Sequence, residues 1–127
     1  MDQHKLKKRA ILVIDDEEEF HELIRAIFAD THTVSGATRV DEALRMLRQT
    51  QFDVVLLDLL LPYRSGWEVL RALSSRPDAP PVIVITAVGD KQVRAQAEEL
   101  GAVYTVVKPI VPRQLRKMVE YCETLKR

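Results

Sequence analysis

The sequence predicts an α/β fold: a single doubly wound (βα)5 domain whose five-stranded parallel sheet carries helices on both faces. Three observations lead there. Apolar strand-like runs alternate with stretches of helical period five times along the chain. The runs AILVI (10–14), FDVVLL (52–57), PVIVI (81–85) and VYTVV (103–107) are dense in Val, Ile and Leu, as strands are when both faces are covered. Asp15 and Asp16, Asp58, Thr86 and Lys108 stand at or just beyond the C-terminal ends of those four runs. In parallel sheets, ligands bind outside the carboxyl ends of the strands.

The elements follow in order. AILVI is the first strand. The segment 18–29 places Phe20, Leu23, Ile24, Ile27 and Phe28 at helical spacing, and Glu17, Glu18 and Glu19 crowd its first turn, where negative charge suits the helix dipole. A short strand is expected near 31–35, then a helix marked by Val40, Ala43, Leu44 and Leu47. FDVVLLD is the third strand, and Pro62 to Gly66 form a loop. Trp67, Leu70 and Leu73 mark the third helix, closed by Ser74-Ser75-Arg76-Pro77. PVIVITA is the fourth strand. Asp90 suits the cap of a fourth helix that runs through Val93, Ala97 and Leu100 to Gly101, a natural C′ residue. VYTVV is the fifth strand, and a last helix runs from about 112 to the end.

Bulk properties narrow the class. At 127 residues the chain is one domain's worth, able to bury a core without staples. It is 46% hydrophobic and 30% charged, and its 19 basic residues balance 19 acidic ones. That balance gives no electrostatic pull toward nucleic acid, so direct nucleic-acid binding is not expected. The longest apolar runs reach half a membrane span or less, so no bilayer crossing is expected. The start MDQHKLKKRA is basic but lacks the pattern of a secretory signal. One cysteine, Cys122, permits no internal disulfide and fits a reducing cytoplasm; core or helix-face packing is its expected role, since no basic neighbour in sequence activates it. His4, His21 and His32 show no ligand spacing and read as neutral surface residues.

The chemistry lies in the five groups at the carboxyl edge. Carboxylates packed together repel unless a divalent cation or a proton lies between them. Three carboxylates, a hydroxyl and an ammonium on one edge therefore ask for a hard metal ion and a phosphoryl group. Singly, each residue has an ordinary reading: a helix-capping acid beside a solvated one for Asp15 and Asp16, a strand-end threonine for Thr86, a surface lysine for Lys108. Asp58 shifts the balance, because an acid ending a run as apolar as VVLL is costly to bury without compensation. A carboxylate held beside Mg²⁺ can attack phosphorus and form an acyl phosphate. Thr86 would donate to a phosphoryl oxygen. Lys108 precedes Pro109, where a cis peptide can re-aim a side chain, and would pair with Asp58 and later with the phosphoryl group.

With those residues in place the chain resembles a response-regulator receiver (CheY-like) domain over nearly its whole length. The matching segments are VIDDEE (13–18), LLDLLLPYRSG (56–66), ITA (85–87), GA (101–102) and VVKP (106–109). The resemblance implies strand order 2-1-3-4-5, with residues 1–9 a basic leader and 10–127 the receiver. It implies that Asp58 is the phosphoacceptor and Asp16 a direct Mg²⁺ ligand, with Asp15 acting nearby or through water and the Leu60 backbone carbonyl as a further ligand. Thr86 becomes the switch hydroxyl and Lys108 the site lysine. The implied partners are a sensor histidine kinase or histidine phosphotransfer protein, and a downstream protein reading the surface of the fourth helix, fifth strand and fifth helix. Such a protein catalyses only its own phosphorylation and slow dephosphorylation and is not classed as an enzyme.

Two positions depart from the family pattern. Many receivers carry an aromatic three residues before the lysine; here that residue is Thr105, and Tyr104 one place earlier points to the other face of the sheet. Leu60 and Val88, two places after Asp58 and Thr86, are apolar and cannot orient an attacking water, so slow self-dephosphorylation is expected. The expected protein is a cytoplasmic, stand-alone regulator, monomeric or weakly dimeric. A degenerate receiver acting without phosphorylation, a fragment of a longer protein and a terminal effector versus a relay all stay open. A haloacid-dehalogenase-type phosphatase is disfavoured because Leu60 stands where such enzymes carry their second acid.

Overall fold

The computed structural model describes residues 8–125. The elements alternate strictly: β1 (Arg9–Ile14), α1 (Glu18–Ile27), β2 (His32–Ala37), α2 (Val40–Gln49), β3 (Val54–Leu57), α3 (Gly66–Ser74), β4 (Val82–Thr86), α4 (Lys91–Glu99), β5 (Tyr104–Val107) and α5 (Pro112–Thr124). All strand pairings are parallel, in the order β2-β1-β3-β4-β5. The expected fold class and strand order are both observed.

Period-two alternation along the strands divides the core into two layers. Leu12, Ile14, Val55, Leu57, Val82 and Val84 face α2, α3 and α4, meeting Val40, Leu47, Leu70, Leu73 and Ala97. Ile11, Val13, Val54, Leu56, Ile83 and Ile85 face α1 and α5, meeting Ile24, Phe28, Leu115, Val119 and Cys122. Each central strand is therefore apolar throughout because both of its faces are covered. Burying these side chains contributes about 1.5–3 kcal/mol apiece relative to leaving them exposed.

Local signals set the boundaries. Asp90 Oδ1 accepts the Val93 amide at 2.9 Å and starts α4. Gly101, at φ 101°, ends that helix, with the Ala102 amide reaching back to the Ala97 carbonyl. Pro112 opens α5, where a missing N–H costs nothing. β2 runs to Ala37, longer than the expected stretch near 31–35. Its residues Ser35, Gly36 and Ala37 carry no apolar signature, yet all pair with β1. Gly66, read as the end of a loop, is instead the first residue of α3. Among the described residues no helix is long and apolar enough to cross a membrane.

Candidate functional site

β1, β3, β4 and β5 are parallel neighbours, so the residues that follow them emerge along one edge. Asp15, Asp16 and Asp58 each offer a carboxylate oxygen there, and these oxygens lie within 4.8 Å of one another. Asp15 is buried and held at every polar atom. Its amide donates to Ala37 O at 3.0 Å, its Oδ1 accepts the Glu17 amide at 2.9 Å, and its Oδ2 accepts Lys108 Nζ at 2.8 Å. Its carbonyl accepts His21 Nε2 at 2.7 Å. Asp16 is exposed, and among the described residues its carboxylate has no hydrogen bond or ion pair. One acid is anchored and its neighbour is left free to ligate.

Asp58 is 6% exposed. Its amide donates to Ile14 O at 2.9 Å, its Oδ1 accepts the Leu60 amide at 2.9 Å, and its Oδ2 accepts Lys108 Nζ at 3.3 Å. Burial raises its pKa above the ordinary carboxylate value; the Leu60 amide and the Lys108 charge pull it down, and the Asp15 charge pushes the same way as burial. Burial opposes the charge on Lys108, but the hydrogen bond and charge of Asp15, followed by those of Asp58, outweigh it and raise the lysine's pKa. The ammonium lies 3.9 Å from Glu17 and 4.6 Å from the centroid of the Phe20 ring, a cation–π contact absent from the sequence reading. The Lys108–Pro109 peptide is cis, as expected.

Thr86 is buried at the end of β4, and its Oγ1 accepts the Val88 amide at 3.3 Å. The Lys108 amide donates to Thr86 O at 2.8 Å, tying the two strand ends together. Gly66 belongs to the site as well. A Cβ there would collide with the backbone carbonyl of Asp58 and with Leu59 Cα, so only glycine lets α3 begin against the Asp58 backbone. The sequence signal was the Ser-Gly pair after Pro62: Ser65 caps α3 by accepting the Trp67 amide at 3.1 Å.

Residues 11–120 match the family model of the response regulator receiver domain. The chain belongs to that family. It is similar to the transcriptional regulatory protein ResD of Bacillus subtilis (strain 168), at 35% identity over 116 residues, 91% of this chain and 47% of that protein. The chain spans about half the length of the curated relatives it matches. Among solved structures, the non-phosphorylated HemR receiver domain of Leptospira biflexa matches with a TM-score of 0.85 at 29% identity, covering 94% of this chain and 98% of that one. A response regulator protein from Burkholderia pseudomallei matches with a TM-score of 0.81 at 28% identity, covering 92% of this chain and 69% of that one. That structure holds a phosphorylated aspartic acid, a calcium ion and citrate.

Within this receiver, Tyr104 does sit on the α1/α5 face, its ring 6.0 Å from that of Tyr121 in an edge-to-face contact. Thr105 lies on the opposite face, buried, and among the described residues its hydroxyl has no hydrogen-bond partner. Leu60 and Val88 are both 55% exposed beside the site. Cys122 is fully buried against the α1/α5 layer; burial, with a smaller push from Glu123, takes its thiol up to about 12, so it packs and does not react. Two histidines correct the sequence reading. His21 is buried under the Asp15 turn, and His32 packs edge-on against Phe28 while its Nε2 meets Glu123 at 2.7 Å. Neither is a surface residue. His4 lies outside the described residues; of the basic leader, Lys8 donates to Ala29 O at 2.9 Å and Arg9 already belongs to β1.

Proposed function

We propose that this receiver accepts a phosphoryl group on Asp58 from a phosphohistidine of a sensor kinase or phosphotransfer protein, in a Mg²⁺-dependent reaction. The convergence of three carboxylates, two of them paired with one lysine, carries the reading. Hard oxygen donors in a tight cluster, one of them free and exposed, suit Mg²⁺, which binds through one or two carboxylates and retains water. Asp16, Asp58 and the Leu60 carbonyl would hold it, with Asp15 acting nearby or through water. Bound there, Mg²⁺ supplies positive charge against the carboxylates and the phosphoryl oxygens.

The protein's own groups do the rest. The Leu60 amide and Lys108 orient the Asp58 carboxylate, one oxygen of which attacks phosphorus. The O–P bond forms as the P–N bond to the donor's imidazole breaks, and the ring keeps that electron pair and takes up a proton. Lys108 then stays paired with the phosphorylated carboxyl group. Thr86 exchanges the long bond to Val88 for one to a phosphoryl oxygen, and the change passes to the α4–β5–α5 surface read by a protein partner. In this role the domain is a cytoplasmic phosphoacceptor rather than an enzyme, monomeric or weakly dimeric.

The test is intact mass after treatment with a small-molecule phosphodonor and Mg²⁺, with Asp58→Asn alongside. One phosphoryl adduct that is absent from the variant supports the proposal. No adduct under any metal condition overturns it in favour of a phosphorylation-independent interaction module.

A further inference from the structure

His21 is a fully buried imidazole on α1 that plays no part in the chemistry above. A buried ring nitrogen is costly unless paired, and here Nε2 reaches the Asp15 carbonyl at 2.7 Å. A carbonyl oxygen only accepts, so Nε2 carries the proton. That carbonyl has no place in a backbone ladder, since β1 has ended at Ile14 and α1 begins only at Glu18. It belongs to the peptide that joins Asp15 to Asp16. The peptide is planar, so anchoring its oxygen fixes where the Asp16 Cα stands and how its side chain leaves the turn.

The cradle for the ring comes from β2. Gly36 pairs with Val13, and a Cβ there would overlap the imidazole at Nδ1 and Cε1. The next residue, Ala37, accepts the Asp15 amide at 3.0 Å. Strand β2 and helix α1 thus grip the Asp15–Asp16 turn from two sides, and Gly36 is the residue that admits the histidine.

We propose that His21, seated on Gly36, is a positioning residue that aims the free Asp16 carboxylate at the divalent cation. This rests on the metal site proposed above. Groups that orient ligands in this way typically cost 10–100-fold in metal affinity when removed. His21→Met removes the donor at similar bulk, whereas His21→Gln keeps an N–H at similar reach. Mg²⁺ affinity is read by titration calorimetry, with Asp16→Asn as control and thermal melts to verify folding.

The expected result is about tenfold or weaker binding in His21→Met, most of it recovered in His21→Gln. Gly36→Ala, which keeps every acid and the histidine, should also weaken binding. Native affinity in His21→Met overturns the proposal, as does a His21→Gln variant as weak as the methionine one. If His21→Met does not fold, Gly36→Ala decides: weakened binding beside a near-native His21→Gln supports the proposal, and native affinity overturns it. Failure of the native protein itself to bind Mg²⁺ through Asp16 overturns the metal reading, and this positioning role with it.

Discussion

The two flanks of the carboxyl edge are built differently. On the α1 side every polar atom of Asp15 has a partner, Asp58 is held at both oxygens, and Lys108 bridges them over Phe20. On the α4 side, among the described residues, the Thr86 hydroxyl has one long bond, the Thr105 hydroxyl has none, and α4 buries only Ala97. Chemistry needs groups fixed before the phosphoryl donor arrives. A switch needs a region that gives up little on rearranging, with few buried contacts and weak hydrogen bonds. Under the proposed function the two tasks fall on separate flanks of one edge, and Lys108, bonded through its amide to Thr86, joins them.

Lys108→Met is the largest break available to the fixed flank. It leaves Asp15 and Asp58 buried without their counter-charge, a loss of up to about 3 kcal/mol in denaturant unfolding. Mg²⁺ should return part of this, because a cation bound only to the folded state stabilises it. A variant whose midpoint matches the native protein in both the absence and presence of Mg²⁺ would show that the ammonium does not hold this flank together.

Asp58→Asn probes the same flank in the opposite direction. The folded pKa of Asp58 is raised above its unfolded value, so the native state holds the proton more tightly. Its contribution is therefore most favourable at low pH and is lost as pH rises through the folded pKa. Without divalent ions, Asp58→Asn should be more stable than the native protein by about 2 kcal/mol at neutral pH. The gap should shrink as the pH is lowered toward the carboxylate range. A gap that stays constant or widens on acidification would contradict the raised pKa.

Sequence patterns read well where the cause is local, and poorly where it is a neighbour across the fold. The central strands, the Asp90 cap and the Gly101 stop all have local causes, and all were legible. β2 showed only part of its length, because an edge strand with Ser35 and Gly36 is specified by pairing with β1 and not by its own hydrophobicity. The acids, Thr86 and Lys108 were legible by order along the chain, but the preference of Lys108 for Asp15 over Asp58 was not. His21 was read as exposed because its burial depends on a glycine on another strand, and His32 because its partner, Glu123, lies 91 positions away.

Leu60 and Val88 sit one on each flank, half-exposed and apolar, with nothing to orient a water at Asp58. Leu60→Asn adds a hydrogen-bonding group there and should speed loss of the phosphoryl group about tenfold, some 1.4 kcal/mol of barrier. The decay of the mass adduct after removal of the phosphodonor measures it. A native lifetime as short as that of fast chemotaxis-type receivers, or no acceleration in the variant, would remove the side-chain explanation.

The smallest expected effect sharpens the comparison most, because it touches the loose flank alone. Thr105 stands where many receivers carry an aromatic, and its buried hydroxyl has no partner among the described residues. An unmet buried hydroxyl costs about 1–3 kcal/mol, and valine keeps the branched shape without it. Thr105→Val should therefore stabilise the unphosphorylated domain by about 1 kcal/mol in urea unfolding. Its rate of phosphorylation should be unchanged, since no group bonded to Asp58 is altered. If the hydroxyl finds a partner only when the α4 flank rearranges, the same substitution lowers the stability gained on phosphorylation, so the two measurements move in opposite directions. Destabilisation of the unphosphorylated form would show that Thr105 is already engaged there, and that the loose flank is tighter than its hydrogen bonds indicate.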